Sequence, residues 1–322
     1  MEEKYDVSVI ICTYNPQWKK LKSTLLSALE QKDIDFEIVV SDDGSKNNCF
    51  ECIIDLFKEY KFTDYKLVDN EINKGTVENY YSALEAAEGL YSYVISPGDM
   101  LYDSNVIHKL YNFATKNKAL ICFGNVVYYN SDNNYIKVFH DIKNAPSRPW
   151  FFDSDLPVEK IKEYFFMGNQ INGASFFRKT EVAIKYVDKI RGISKYVEDN
   201  TTTAIALADG VRVWHYNDFT AWYEYGTGVS TSKDEKWKKL LDDDFNKVNK
   251  MLLKEYPKDK TIRNLVKINL INKEFPKYLY MLFNCPTMIF KRKMFKRQKV
   301  SIGYDIPVDE SLLMKYLRMG EV

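Results

Sequence analysis

Short apolar runs alternate with amphipathic stretches through the first 130 residues of the chain. In one such stretch Phe50, Ile53, Ile54 and Phe57 recur at the spacing of a single helical face. This alternation is typical of βαβ units and predicts an α/β fold, with a mainly parallel sheet flanked by helices. The predicted strands cover residues 7–12, 36–41, 65–69, 91–96 and 119–129.

The pattern continues downstream and changes near residue 232, where lysine-rich helical segments begin. Before that point the predicted helices cover 156–168, 179–187 and 196–210, and the predicted strands cover 171–178 and 211–215. We therefore predict a main domain over 1–231, with halves at 1–130 and 131–231, and a helical C-terminal extension over 232–322.

Composition narrows the class of protein. The 322 residues are 45% hydrophobic, and 46 basic against 45 acidic residues give a net charge of +1, so no global field attracts nucleic acid.

The five cysteines are an odd number with no secretory leader before them, and we expect a reduced, cytoplasmic protein. Cys49 and Cys52 have CxxC spacing, but without a second pair they are better explained as two small helix residues.

Polar turns follow the predicted strands: "TYNP", "DDGS", "NEINKG" and "PGD". Open α/β sheets bind ligands at the carboxyl ends of their strands, so these turns are the candidate site. Two phosphate-binding fingerprints are missing. No GxGxxG follows the first strand, and "GNQINGAS" (168–175) has P-loop glycine spacing but Ala174 in place of the lysine.

A different nucleotide site remains. The Tyr14 ring can stack on a base, and the "DDGS" acceptors suit the N–H edge of a pyrimidine or ribose hydroxyls. Asn73, Lys74 and Gly75 open a helix, where free N–H groups and a cation favour an anion. Each turn alone is common, but together at one sheet edge they favour a function.

The motifs "VSVIICTYNP", "IVVSDDGS", "NKGTVEN" and "YVISPGDM", in this order, resemble the inverting family 2 glycosyltransferases of the GT-A fold, over about residues 6–230. The resemblance implies that residues 1–130 bind a nucleotide sugar and 131–231 the acceptor. It assigns the base and ribose of the donor to Thr13, Tyr14, Asn15 and Asp43, and the donor pocket also to Asn73, Gly75 and Asn79.

A diphosphate leaving group calls for a hard divalent cation, Mn²⁺ or Mg²⁺, and Asp99 is the candidate ligand. The family usually has Asp-x-Asp here, whereas Ser96 and Gly98 stand where acids are common. His215 or Asp103 is a candidate second ligand. His215 can equally be an ordinary polar strand terminus.

Inversion at a sugar carbon needs a base for the acceptor hydroxyl, and one carboxylate is enough. Glu198 and Asp199 stand at a predicted helix start. The resembling family has a Glu-Asp pair in this part of the chain, which implies Asp199 as the base and Glu198 as its support or as a contact to the acceptor. Two acids in an N-terminal turn are the structural alternative.

Two further segments have open interpretations. The stretch 221–232 is aromatic, then rich in Gly and Ser, as in a loop that closes over a site; Trp222, Tyr223 and Tyr225 either stack on sugars or pack beneath it. Residues 275–304 contain seven basic residues and no acid. Their uninterrupted apolar stretches are too short to span a bilayer. The segment either lies on an anionic membrane surface or forms a solvated helical cap.

The sequence thus predicts a metal-dependent inverting glycosyltransferase that moves a sugar from a nucleotide-diphosphate sugar, with UDP favoured, to a glycan or lipid-linked acceptor, as in the synthesis of bacterial surface glycans. A sugar nucleotidylyltransferase is less compatible, because "TYNPQWKK" lacks a glycine-rich loop. A catalytically silent sugar-nucleotide binder or assembly partner is the alternative. We expect a cytoplasmic location, with peripheral contact at the inner face of the membrane.

Overall fold

A computed structural model of the chain describes residues 4–131, 136–140, 145–153, 155–226, 234–297 and 306–321. The side chains of 292–297 are excepted from this description. Most of the predicted Gly- and Ser-rich loop, at 227–232, and the end of the basic segment, at 298–304, lie outside the described residues.

Nine strands form one sheet in the described part of the chain. They are β1 (Tyr5–Thr13), β2 (Phe36–Asp42), β3 (Tyr65–Asp69), β4 (Gly89–Ile95), β5 (Met100–Leu101), β6 (Ile121–Asn130), β7 (Lys137–Phe139), β8 (Phe176–Lys179) and β9 (Val213–Glu224). The order is β3-β2-β1-β4-β8-β6-β9-β5, and β7 pairs with β6. β1 to β4 are parallel neighbours, and β6 and β9 are parallel too. The predicted α/β fold with a mostly parallel sheet is confirmed.

Helices cover the sheet. They are α1 (Trp18–Leu29), α2 (Phe50–Glu59), α3 (Thr76–Ala86), α4 (Val106–Asn117), α5 (Val158–Phe166), α6 (Thr180–Ile190), α7 (Asp199–Ala208), α8 (Glu235–Glu255), α9 (Lys260–Leu270), α10 (Glu274–Asn284), α11 (Pro286–Arg297) and α12 (Glu310–Glu321). Alternate residues of β1 face opposite layers, because side chains alternate along a strand. Val7 and Val9 pack with α1 and α2, whereas Ile10 packs with α3.

Two predicted elements are wrong in their limits. The strand predicted at 171–178 begins with a 3-10 turn at Gly173–Ser175, held by a hydrogen bond from Ala174 N to Asn172 Oδ1 (2.9 Å). The strand predicted at 211–215 runs on to Glu224, because it pairs with β6. Trp222 therefore belongs to a strand, is fully buried, and packs rather than being offered to a sugar.

The C-terminal helices cover both layers. Residues of α8 and α9 share a hydrophobic cluster with α5 and α7, which confirms a helical C-terminal region. α12 returns to α1, where Glu321 pairs with Lys19 (2.7 Å) and a Cβ on Gly320 would lie 2.1 Å from Ser23 Oγ. The division near residue 232 stays a prediction. Among the described residues, no helix has the length and apolar character needed to cross a bilayer.

Candidate active site

The loops after β1 and β2 are joined by the Asp42 carboxylate. Thr13 Oγ1 donates to Asp42 Oδ2 (2.7 Å), while Ser45 donates its backbone N–H to Oδ1 (2.7 Å) and its hydroxyl to Oδ2 (2.6 Å). Asn15 N in turn donates to Ser45 Oγ (2.5 Å). Sequence reasoning did not assign a role to Asp42. The signal was present, since Asp is typical of turns in which its side chain accepts a hydrogen bond from a nearby backbone N–H.

We call the loops after β1 and β2, residues 13–15 and 42–45, the rim. Tyr14 lies on this rim. Its side chain is 55% exposed, and Asn15 beside it has a left-handed backbone (φ 45°). The backbone turn thus leaves an aromatic ring open to solvent at the carboxyl end of β1. A flat exposed ring at a strand end is a surface on which a nucleobase can stack.

Asp43 joins the rim to the start of α3. Its two carboxylate oxygens accept hydrogen bonds from Lys74 N and Gly75 N, both at 2.8 Å. Burial raises the pKa of Asp43, and these two bonds together with the charge of Lys195 oppose the shift. Asn73 beside them is exposed. Each Asp43 oxygen keeps a lone pair for a ligand.

Asn79 has a positioning role in this structure. Its amide nitrogen donates to Thr13 O (3.2 Å) and Ser41 O (3.1 Å), and its Oδ1 accepts from Ser41 Oγ (2.6 Å). The side chain is buried, so these bonds fix α3 against the ends of β1 and β2. Asn79 thereby shapes the rim from below.

Glu198 and Asp199 stand at the start of α7, and both are half-buried. Asp199 Oδ1 accepts from Asn200 N (2.6 Å), and Asp199 O accepts from Arg178 Nη2 (3.1 Å). Burial raises the pKa of both carboxyl groups, and the Asp199 charge raises that of Glu198 further, while the Arg178 charge opposes both shifts. A carboxyl with a raised pKa is a better proton acceptor when ionised.

The structure brings the acids of α7 to the rim. The loop before α7 packs on the start of α3, where Val77 N donates to Lys195 O (3.1 Å) and a Cβ on Gly75 would lie 2.4 Å from Lys195 Cγ. Burial and the charges of both Glu198 and Asp43 raise the pKa of the Cys12 thiol on β1, so acids from α7 and from the rim both act on this residue.

Asp99 follows β4 at the same edge of the sheet but faces protein. Its Oδ1 accepts a hydrogen bond from Glu224 N (2.9 Å), and the residue is 7% exposed. Burial, together with the charge of Glu224, raises the pKa of Asp99 to about 8, although the Glu224 N–H and the Lys20 charge oppose the shift. A proton on Asp99 would remove the charge that a hard cation prefers.

The predicted partners of Asp99 are not brought to it. His215 is buried, with Nδ1 2.7 Å from Asp153 Oδ1 and Nε2 2.8 Å from Asn125 Oδ1. It lies on β9 seven residues before Trp222, the partner of Met100, roughly 20 Å along the strand.

Asp103 accepts from Asn105 N (2.7 Å) and Lys109 Nζ (3.0 Å). Across the described ranges, no group of three or more His, Cys, Asp or Glu residues could hold a metal. The Glu224 residue beside Asp99 donates its N–H to Asp99 and pairs its carboxylate with Lys20 Nζ (2.7 Å), so the side chains around Asp99, as arranged here, do not fit a divalent cation.

Comparisons with known proteins show the family of the chain. Residues 8–180 match the family model "Glycosyl transferase family 2". An uncharacterised glycosyltransferase of Methanocaldococcus jannaschii is 27% identical over 189 residues, 57% of this chain and 60% of that protein. One of Haemophilus influenzae is 27% identical over 132 residues, 41% of this chain and 51% of that protein. The chain thus spans between half and three-fifths of the length of these curated relatives.

Solved structures of S. aureus TarS share the fold. The complex with UDP-GlcNAc has a TM-score of 0.59 and 17% identity, covering 82% of this chain and 71% of that one. The complex with UDP has a TM-score of 0.57 and 16% identity, covering 82% and 70%. At this identity the likeness shows the GT-A fold alone. Because the family model spans more than half of the sequence, the chain belongs to glycosyltransferase family 2.

Proposed function

We propose that the protein is an inverting glycosyltransferase. It moves the sugar of a UDP-sugar donor to a hydroxyl of a glycan or lipid-linked saccharide, as surface-glycan synthesis requires. The observation that carries this proposal is the packing of the loop before Asp199 on the start of α3, beside Asp43. One site thus contains acceptors for a nucleoside and a carboxylate for proton transfer. The UDP-GlcNAc complex of TarS, which has the same fold, supports the choice of donor.

Donor binding begins at the rim. Tyr14 stacks on the base, and the free lone pairs of Asp43 accept from the pyrimidine N–H or a ribose hydroxyl. The start of α3 at Gly75, whose φ of 95° only glycine adopts easily, adds a positive helix end near the phosphates. Thr13, Asn15 and Asn79 hold these groups in place through the bonds described above.

Transfer follows from the position of Asp199. Its carboxylate takes the proton of the acceptor hydroxyl as that oxygen attacks the anomeric carbon. The carbon–oxygen bond to the diphosphate breaks, the bonding electron pair leaves with UDP, and the configuration inverts. Glu198, which stands beside the base at the start of α7, supports it or contacts the acceptor. The predicted Mn²⁺ or Mg²⁺ has no fitting ligand set around Asp99, so no step passes through a metal.

Helix α10 has an apolar stripe that is relevant to the acceptor. Large side chains at helical spacing point outward, and their exposures are highest at Phe275 (73%) and Phe283 (80%). Six of the seven basic residues of 275–304 follow directly in 291–299. An exposed apolar helix face that basic residues follow in the sequence suits an anionic lipid surface, where a lipid-linked acceptor is found. We therefore place the enzyme at the cytoplasmic face of a membrane, held peripherally.

The function is tested with Asp199→Asn and with the unchanged enzyme. Isothermal titration with UDP and a panel of UDP-sugars, followed by release of UDP with and without acceptor saccharides, separates binding from chemistry. We expect Asp199→Asn to bind UDP as the unchanged enzyme does and to lose transfer about 100-fold or more. Full turnover by this variant would refute the base assignment. UDP binding without any release from a sugar nucleotide would favour the silent binder.

A further inference from the structure

A partly buried ion pair lies beside Asp99. Lys20 is in the first turn of α1, five residues after Asn15 of "TYN", and its Nζ lies 2.8 and 2.7 Å from the two carboxylate oxygens of Glu224. The Glu224 side chain is 3% exposed and also accepts from Ser131 Oγ (2.8 Å). Contacts of this length between opposite charges are strong hydrogen bonds.

Gly98 makes room for this pair. A Cβ built on Gly98 would lie 2.4 Å from Glu224 Oε2 and 3.6 Å from Lys20 Cδ. The Glu224 carboxylate, which comes from β9, therefore occupies the space into which a side chain at position 98 would extend. This acid belongs to another strand, β9, and is already paired with a cation.

We propose that the Lys20 ammonium takes the place of a divalent cation at the diphosphate end of the donor site, so that donor binding and transfer need no metal. The proposal rests on the proposed function. An ammonium has three N–H donors, and Glu224 accepts two of them. The Lys20 side chain is 28% exposed, which leaves the third donor free to reach a phosphate oxygen. As the glycosidic bond breaks, that hydrogen bond stabilises the charge gained by the leaving phosphate.

The pair also disfavours a metal in this place. A divalent cation bound to Glu224 would have to displace Lys20 or lie against its positive charge, since both would contact the same two oxygens. Glu224 thus orients the ammonium and keeps its charge at the edge where β1, β4 and β9 end.

The test compares the unchanged enzyme with Lys20→Met, Lys20→Arg and the double variant Lys20→Met with Glu224→Gln. Lys19→Met is the matched control, because Lys19 is the preceding residue and pairs with exposed Glu321. UDP affinity is measured by titration in EDTA and in Mn²⁺, and Mn²⁺ binding without nucleotide is measured by electron paramagnetic resonance. Thermal unfolding shows that each variant is folded.

We expect the unchanged enzyme and Lys19→Met to bind UDP equally in EDTA and Mn²⁺. Lys20→Met should lose about tenfold or more in EDTA, regain affinity in Mn²⁺, and bind Mn²⁺ more tightly than the unchanged enzyme. Lys20→Arg should retain binding in EDTA, and the double variant should show no rescue by Mn²⁺.

A requirement for Mn²⁺ in the unchanged enzyme, or unaltered UDP affinity of Lys20→Met in EDTA, would overturn the proposal. Absence of UDP binding under every condition would instead refute the proposed function. In that event the Mn²⁺ titration without nucleotide still decides the role of Lys20, because equal Mn²⁺ binding by both proteins would contradict it.

Discussion

Gly173 leaves open the space that the Asp199 carboxylate fills: a Cβ built on Gly173 would lie 2.8 Å from Asp199 Oδ2. The 3-10 turn at Gly173–Ser175 and the start of α7 can approach closely because residue 173 has no side chain. A base must keep its position to within a fraction of an ångström to act on a bound hydroxyl.

We expect Gly173→Ala to push this carboxylate aside and to lower kcat about tenfold or more, with UDP affinity unchanged. Steady-state kinetics and UDP titration measure the two effects, and the melting temperature checks the fold. A variant that keeps its kcat would show that Asp199 has no need of this space.

The charge of Arg178 sets the pH range of the base. Because the ionised carboxylate is the active form, and the pKa of the Glu198–Asp199 pair is raised by burial, transfer should be lost as pH falls through that raised pKa. Arg178 lies buried beside the pair and opposes the shift.

Arg178→Gln should therefore raise the pKa further and move the acidic limb of the kcat/KM profile upward by about one pH unit. Arg178→Lys, which keeps the charge, should restore most of the profile. Arg191→Gln is a control, since Arg191 pairs with Glu78 on the surface (3.0 Å). An unmoved limb in Arg178→Gln would contradict the electrostatic role.

Asp244 connects the C-terminal helices with the loop before the base. From α8, its buried Oδ2 accepts from Lys195 N (2.7 Å), Tyr196 N (2.7 Å) and Ser194 Oγ (3.2 Å). Three donors converge on one carboxylate oxygen, and each bond to a charged group contributes about 1.5–3 kcal/mol. Asp244 is thus a positioning residue for Glu198 and Asp199.

Asp244→Asn should weaken these bonds, lower kcat about tenfold and reduce the free energy of unfolding by about 1–3 kcal/mol. The control Asp243→Asn alters an exposed neighbour on the same helix. Urea unfolding and kinetics measure both effects, and a loss of stability with full kcat would leave Asp244 a purely structural role.

The sequence predicted local features better than long-range ones. Strand ends and their turns follow from apolar periodicity and from Gly, Asn and Asp, so Tyr14 and Asp43 could be placed at one edge. Glu224 could not, because it meets Asp99 across 125 positions through the pairing of β5 with β9. The strand that contains Glu224 was predicted to end at 215. In the structure it continues to Glu224, and the register shifts of β6 and β9 near Asn125 accommodate residues 216–218 within the strand.

The apolar stripe of α10 predicts binding to anionic vesicles. Phe275 and Phe283 are 73% and 80% exposed on one face of the helix. Point variants test this binding more specifically than a deletion of residues 275–322 would. The deletion would also remove α12, which packs on α1. Burying one Phe side chain contributes about 1.5–3 kcal/mol, so Phe275→Ser with Phe283→Ser should weaken vesicle binding at least about tenfold.

Co-sedimentation with phosphatidylglycerol vesicles measures this, and phosphatidylcholine vesicles test the charge requirement. Added salt should weaken the binding of the unchanged enzyme, because the electrostatic attraction of the basic segment is screened. Ile72→Ser, at an apolar residue 63% exposed elsewhere on the surface, is the matched control. Equal sedimentation of the double variant and the control would assign these helices to a solvated cap, since the exposed rings would then contribute nothing to membrane attachment.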